Sequence, residues 1–200
     1  MSLLTNLILA AALTTAVVKA PAPRLRLPIT AAKYQATVVR EAHAKGGLTA
    51  PVAMFAGQLT QESQFNPNAH SGVGAQGLAQ FMPPTALWLT KVAPKDFPTA
   101  NSLDPNWSIR ALIFYDYWLE ARTPMYTAEK QNRWAAALAG YNGGLGYVFK
   151  AAKIGNCQTW FGCAENVNVG RSTSNQLQNK QYPDRIIHIW EPLYVAADWK

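Results

Sequence analysis

A mainly helical single domain, with at most a small β element, is the fold class this sequence predicts, and three observations carry that reading. Two hundred residues are enough for one sizeable core and short for two. A composition of 49% hydrophobic and 14% charged residues belongs to a globular chain, neither disordered nor threaded repeatedly through a membrane. Apolar residues recur at helical spacing between Gly and Pro stops, whereas no alternating run is long enough for a trustworthy strand.

In chain order, residues 3–18, LLTNLILAAALTTAVV, are apolar but short and Thr/Asn-containing for a membrane span. They suit the core of a signal peptide, with VKA at 18–20 as a small-residue cleavage site. Against this, no Lys or Arg precedes the run, Pro21 would follow the cut, and Lys19, Arg24 and Arg26 lie on the wrong side for the usual orientation. A cleaved leader, a retained membrane tether and a segment with neither role all stay open. PAPRLRLP at 21–28 reads as an extended Pro-rich linker, which divides the chain into an N-terminal segment, 1–28, and a folded domain, 29–200.

Thr30 is placed to cap a first helix that runs to about Ala44 and stops at Lys45-Gly46-Gly47. Thr49 is placed to cap the second, with Pro51 tolerated in its first turn and Val52, Phe55, Ala56 and Leu59 on one buried face. The same count puts Glu62 beside Leu59. Asn66 precedes Pro67 and is pushed out of helical geometry, so Glu62 falls in the last turn, facing inward at an edge. A Gly-rich, close-packed loop follows, then a helix near Thr85. DPNWS at 104–108 starts another helix with Ile109, Leu112, Ile113 and Leu119 toward the core. In RWAAALAGYNGG, Trp134, Ala137, Leu138 and Tyr141 share a face before the glycines end the helix. A final helical pattern begins at Asp184 and reaches at least Glu191, where Pro192 kinks or stops it.

The net charge of +7 favours an anionic partner, but Lys and Arg are scattered singly and form no basic stripe, so nucleic acid is not the expected partner. His43, His70 and His188 match no metal-ligand spacing, and no nucleotide or flavin motif is present, so no metal and no cofactor are expected. Seven Trp and eight Tyr either pack a core or line a groove that stacks on sugars or bases, and composition does not choose. Cys157 and Cys163, with Gly162 to bend the loop between them, form a local disulfide in an oxidising compartment or remain reduced, half-buried thiols elsewhere.

Glu62 is a solitary acid: no other Asp or Glu follows until Asp96. On an apolar helix face a carboxylate loses water, its charged form is disfavoured and its pKa rises. Such a group holds a proton near neutral pH, as protonation of a glycosidic oxygen requires, and that protonation accelerates cleavage by about a hundredfold to ten-thousandfold. Taken alone, an ordinary solvated helix-end Glu is the competing reading.

The segment ESQFNPNAHSGVGAQGLAQFMPPTA, followed by ALAGYNGG, resembles the soluble lytic transglycosylase catalytic domain family, whose fold is lysozyme-like and whose members cleave peptidoglycan glycan strands. The resemblance runs through most of residues 33–190. It implies that Glu62 is the catalytic acid and base and that Ser63 holds the helix end. It further implies that Ser71, nine positions on, bonds the Glu or the sugar, that Gly77 allows close backbone approach, and that Gln80 reaches substrate. Tyr141 and Asn142 of YNGG match the family's YNAG motif, with Tyr141 expected to hydrogen-bond near Glu62 and Asn142 in the substrate-binding set. Tyr182 falls where a second family tyrosine is expected. The sequence departs from the family at Ala79, where Met is common, at Phe81, and at QYPDRI around Tyr182.

Most glycosidases flank the bond with two carboxylates, yet residues 63–95 offer none beyond Glu62. The chemistry that the resemblance implies needs one: Glu62 protonates the bond between N-acetylmuramic acid and N-acetylglucosamine, then takes the proton of the sugar's own 6-hydroxyl to close a 1,6-anhydro ring. Asp96, Asp104, Asp116 or Glu120 turned toward the cleft would instead position a water and give a goose-type lysozyme-like hydrolase. Two further readings stay open, a non-catalytic wall-binding protein and a basic DNA-binding domain. The implied partner is the peptidoglycan strand and the expected state a monomer. The implied setting is the periplasm or cell envelope, reached by export or by delivery from a bacteriophage.

Overall fold

The computed structural model describes residues 25–126 and 129–200, and the leader or tether expected at residues 3–18 lies outside them. A 3-10 turn, Ile29–Tyr34, leads into α1, Gln35–Gly46. Thr30 does not cap it: Pro28 holds the N-terminal position, and the Thr30 hydroxyl donates to the Gln64 carbonyl at 3.1 Å, tying the start of the domain to the end of α2. Gly47, at φ +70°, ends α1, and a short turn, Gly47–Thr49, precedes α2, Val52–Ser63. Thr49 is therefore no cap either. Pro51 restricts Ala50 to extended backbone, ψ 142°, so the chain enters the helix only after Pro51.

The core is built around α2. Val52, Phe55, Ala56 and Leu59 are buried, but so is every other residue from 52 to 60, because α1, the helix at Pro105–Glu120 and the C-terminal helices surround it. Its buried threonine is paired accordingly. Thr60 bonds the Ala56 carbonyl at 3.0 Å and the Tyr194 hydroxyl at 2.6 Å. Gly57 permits the closest approach, since a Cβ there would lie 2.9 Å from the Trp190 Cβ.

Between α2 and α3, Pro83–Val92, a compact loop carries two isolated antiparallel bridges, His70 with Gln76 and Gln76 with Phe81, the small β element expected. In α4, Pro105–Glu120, the Asp104 carboxylate accepts from the Trp107 amide at 2.7 Å, and Ile109, Leu112, Ile113 and Leu119 are buried. The fifth helix, α5, Lys130–Gly143, is largely buried, and Gly144 at φ +93° ends it.

Two stretches differ from expectation. Past the glycines a further helix, α6, Leu145–Gly155, forms; Leu145, Val148, Ala151 and Ala152 face the core at helical spacing, while Phe149 and Ile154 are exposed. The last long helix, α7, begins at Thr173 rather than Asp184 and runs to Arg185. Its first turns, TSNQLQNKQ, are polar, and the one aliphatic residue there, Leu177, is itself exposed. At Pro192 the helix neither stops nor breaks. A π turn, Ile186–Trp190, widens the coil and joins α7 to α8, Glu191–Ala196. Proline clashes with the carbonyl four residues back in a regular α-helix, and the wider turn accommodates it.

Cys157 and Cys163 are joined by a disulfide, Cα atoms 5.7 Å apart, after α6. Trp160 is buried within the loop they close, and Asn132 of α5 accepts from the Trp160 and Phe161 amides at 2.9 and 3.0 Å.

Candidate active site

Glu62 stands in the last turn of α2. The helix ends there because Gln64 and Phe65 are both left-handed, at φ +54° and +56°, a conformation rare outside glycine that ordinarily costs about 1–3 kcal/mol. Burial of the Phe65 ring offsets it: the ring is fully enclosed and packs against Tyr34, Tyr194 and Trp199. Ser63 next to the acid donates to the Leu78 carbonyl at 2.8 Å, and Tyr141 of α5 donates to the adjoining Ala79 carbonyl at 2.7 Å. Two consecutive carbonyls of the loop are thus gripped from two helices.

The loop is fixed from within as well. Gly77, at φ +77°, lies so close to residue 102 that a Cβ would sit 1.7 Å from the Ser102 carbonyl oxygen. Gln80, left-handed at φ +48°, donates through Nε2 to the carbonyls of Ala69 at 3.1 Å and Gly77 at 2.9 Å. Ser71 Oγ accepts from the Ala75 amide at 2.9 Å, closing a turn rather than touching Glu62. Both side chains, expected at the acid or the sugar, are engaged in the loop's own backbone.

Tyr182 of α7 makes the direct contact, its hydroxyl donating to Glu62 Oε1. Tyr141, expected to bond near the acid, has its pKa raised by burial and further by the nearby Glu62 charge, but its proton is directed to Ala79. Asn142 Oδ1 accepts from Asn179 Nδ2 at 3.3 Å, and Asn179 also donates to the Ala139 carbonyl at 2.7 Å. Asn179 lies one turn before Tyr182, so these bonds lock α7 to α5 and aim the tyrosine. No sequence signal marked Asn179.

Glu62 is packed by protein but retains an opening to solvent. Burial pushes its carboxyl up to about 7, and the Tyr182 hydroxyl, a donor to the charged form, pulls the other way. A second buried carboxyl lies behind it. Asp116 in α4 is fully enclosed, and its Oδ1 accepts from Gln58 Nε2 at 3.3 Å, one helical turn before Glu62. Burial raises Asp116 well above the carboxylate range, Gln58 opposes this, and the Glu62 charge adds to it. Asp116 is thus held toward its neutral form and is enclosed by protein.

The other acids weighed as water-positioning groups lie elsewhere. Asp104 caps α4, Glu120 pairs with Arg133 at 3.1 Å, and exposed Asp96 borders a hollow with Glu41, Lys45 and Arg110. The site thus brings together one solvent-accessible carboxyl of raised proton affinity, a tyrosine on it, and a rigid loop beneath. Such a group can give a proton and take one back.

The model of the Transglycosylase SLT domain matches residues 38–158, which contain α2, the loop, α4, α5 and α6. The membrane-bound lytic murein transglycosylase F of Shewanella pealeana is 38% identical over 126 residues, 63% of this chain and 23% of that protein. Its namesake from Haemophilus influenzae strain PittGG is 31% identical over 119 residues, 57% of this chain and 23% of the relative. That of Shewanella halifaxensis is 39% identical over 98 residues, 49% and 19%. The match spans less than a quarter of each relative's length. With more than half of its length matched, the chain belongs to the Transglycosylase SLT domain family.

Proposed function

We propose that this domain is a peptidoglycan lytic transglycosylase that cleaves the β-1,4 bond between N-acetylmuramic acid and N-acetylglucosamine with Glu62 as its single acid and base. The observation that carries the reading is the pairing of one accessible carboxyl, raised to about 7, with a second that is fully enclosed and likewise raised by burial. Near neutral pH Glu62 is protonated in a useful fraction and donates to the bridging oxygen as the C–O bond breaks. The substrate's acetamido group assists from within. The Glu62 carboxylate then accepts the proton of the 6-hydroxyl while its oxygen bonds to C1, closing the anhydro ring. The acid ends in its starting state, and no water is consumed.

The Tyr182 hydroxyl steadies the carboxylate between the two proton transfers. Ser71, Gln80, Tyr141 and Asn142 act chiefly by holding the cleft in shape. The names of the relatives, membrane-bound and murein-directed, support work at the cell envelope, and the net charge of +7 favours approach to an acidic wall polymer. No helix among the described residues is long and apolar enough to cross a membrane.

Mass spectrometry of sugars released from purified peptidoglycan tests the reading. Muropeptides with 1,6-anhydro ends, one water lighter than hydrolysed ends, are expected. Reducing ends alone would make the protein a hydrolase, and no release by either wild type or Glu62→Gln would make it a binder.

A further inference from the structure

Tyr141, which fastens the loop beside Glu62, also begins a row of aromatic side chains that leads away from the acid. Its ring centroid lies 5.4 Å from that of Tyr115 on α4. Tyr115 in turn lies 5.6 Å from Trp88 on α3 and 5.8 Å from Trp118, near-parallel to the latter at 28°. Trp88 and Trp118 meet edge to face at 4.9 Å. These three rings, with Pro84 and Thr85 from the first turn of α3, line an open hollow.

The hollow differs from ordinary aromatic core. Its three rings are half-buried, whereas the rings that enclose Phe65 are shut in. The indoles of Trp107 and Trp190 donate to Thr99 and Gln61, and those of Trp134 and Trp160 are sealed from solvent. Among the described residues, the Trp88 and Trp118 indole N–H groups and the Tyr115 hydroxyl have no protein partner and are not sealed. Buried Tyr and Trp usually find a partner for their polar ends, so half-exposed rings with free donors are suited to a ligand. Arg122 fixes one wall, its guanidinium 3.7 Å over the Trp118 ring while it donates to the Trp118 carbonyl at 3.0 Å.

We propose that this hollow is a sugar-binding subsite that takes an N-acetylhexosamine residue of the same glycan strand, beyond the bond at Glu62. The assignment rests on the function proposed above, and three features carry it. The hollow adjoins the site through the Tyr115–Tyr141 contact, Tyr141 being the residue that fastens the loop beside Glu62. Its lining holds no ionised side chain, which fits a neutral ring better than an anion. Ring faces accept the C–H face of a pyranose, and the free N–H donors meet its hydroxyl and acetamido oxygens.

The test separates binding from turnover. Glu62→Gln protein is titrated with N-acetylglucosamine oligomers of increasing length, with calorimetry as readout, beside the same protein carrying Trp88→Ala. Affinity is expected to rise once the oligomer is long enough to reach the hollow. Trp88→Ala should weaken the long oligomers about tenfold, as truncation of an aromatic anchor does, and leave short ones unchanged. Thr85→Phe, which fills the hollow without removing a ring, should do the same and decides the matter if Trp88→Ala fails to fold. Affinity independent of length, or both variants binding long oligomers as tightly as their parent, overturns the subsite. That result would leave the proposed activity standing, since the activity is judged separately by anhydro products from the wild type.

Discussion

Glu62 and Asp116 are two carboxyls in one core, and burial raises both, yet they have different fates. Asp116 lies in α4 about one turn before its end, enclosed by protein, with a glutamine as its hydrogen-bond partner. Glu62 lies in the last turn of α2, with an opening to solvent and a tyrosine donor. Desolvation alone makes an acid neutral; it does not make it useful. A proton donor that must also become a base needs moderate desolvation and a donor ready for the charged form, and a helix end beside a loop supplies both. Burial raises Asp116 and the Glu62 charge adds to it, so ionisation of one carboxyl opposes ionisation of the other.

This contrast between the two acids is tested most directly at Glu62. Replacement by Gln should lower release of anhydro products by about a hundredfold to ten-thousandfold. It should also stabilise the protein. The folded pKa of about 7 lies above the ordinary 4.5, so the stability tied to the protonated group is complete below about 4.5 and is lost as pH rises through about 7. Melting curves of wild type and Glu62→Gln should therefore converge in acid and separate at about pH 8, with the Gln protein higher. Equal melting at both extremes would show Glu62 to be solvated.

Tyr182→Phe is expected to act next most strongly. The hydroxyl favours the charged form of Glu62, so its loss should move the limb of the pH–rate profile that reports Glu62 upward by about one pH unit, with a smaller fall in rate. A limb that stays in place would remove Tyr182 from the site. Asp116→Asn should do less. If Asp116 is neutral, the limb does not move; a shift to lower pH would reveal a charge there, since a like charge had been raising Glu62. Replacing Cys157 and Cys163 by Ser touches neither carboxyl. It should leave activity unchanged and lower stability by about 2 kcal/mol, as expected for so short a closed loop, in a denaturant titration.

Local patterns in the chain were enough to place Glu62. The apolar spacing of Val52, Phe55, Ala56 and Leu59, with Pro67 shortly after, marks an inward-facing acid at a helix end. DPNW marks the start of α4, and the Gly-rich run marks a tight loop. Each is a property of a few neighbouring residues, whose backbone preferences and side-chain spacing act over one or two turns. What surrounds the acid was decided only by packing. Tyr182 reaches Glu62 across 120 residues, from a helix whose polar first half shows no apolar period. Asp116 looked in sequence like any other acid available to hold a water, until α2 and α4 closed over it. Ser71 and Gln80 have the right chemistry for a ligand, but the loop's own carbonyls and amides engage them first. A buried backbone group must be paired by whichever side chain the fold brings near, and that choice is made between elements remote in sequence.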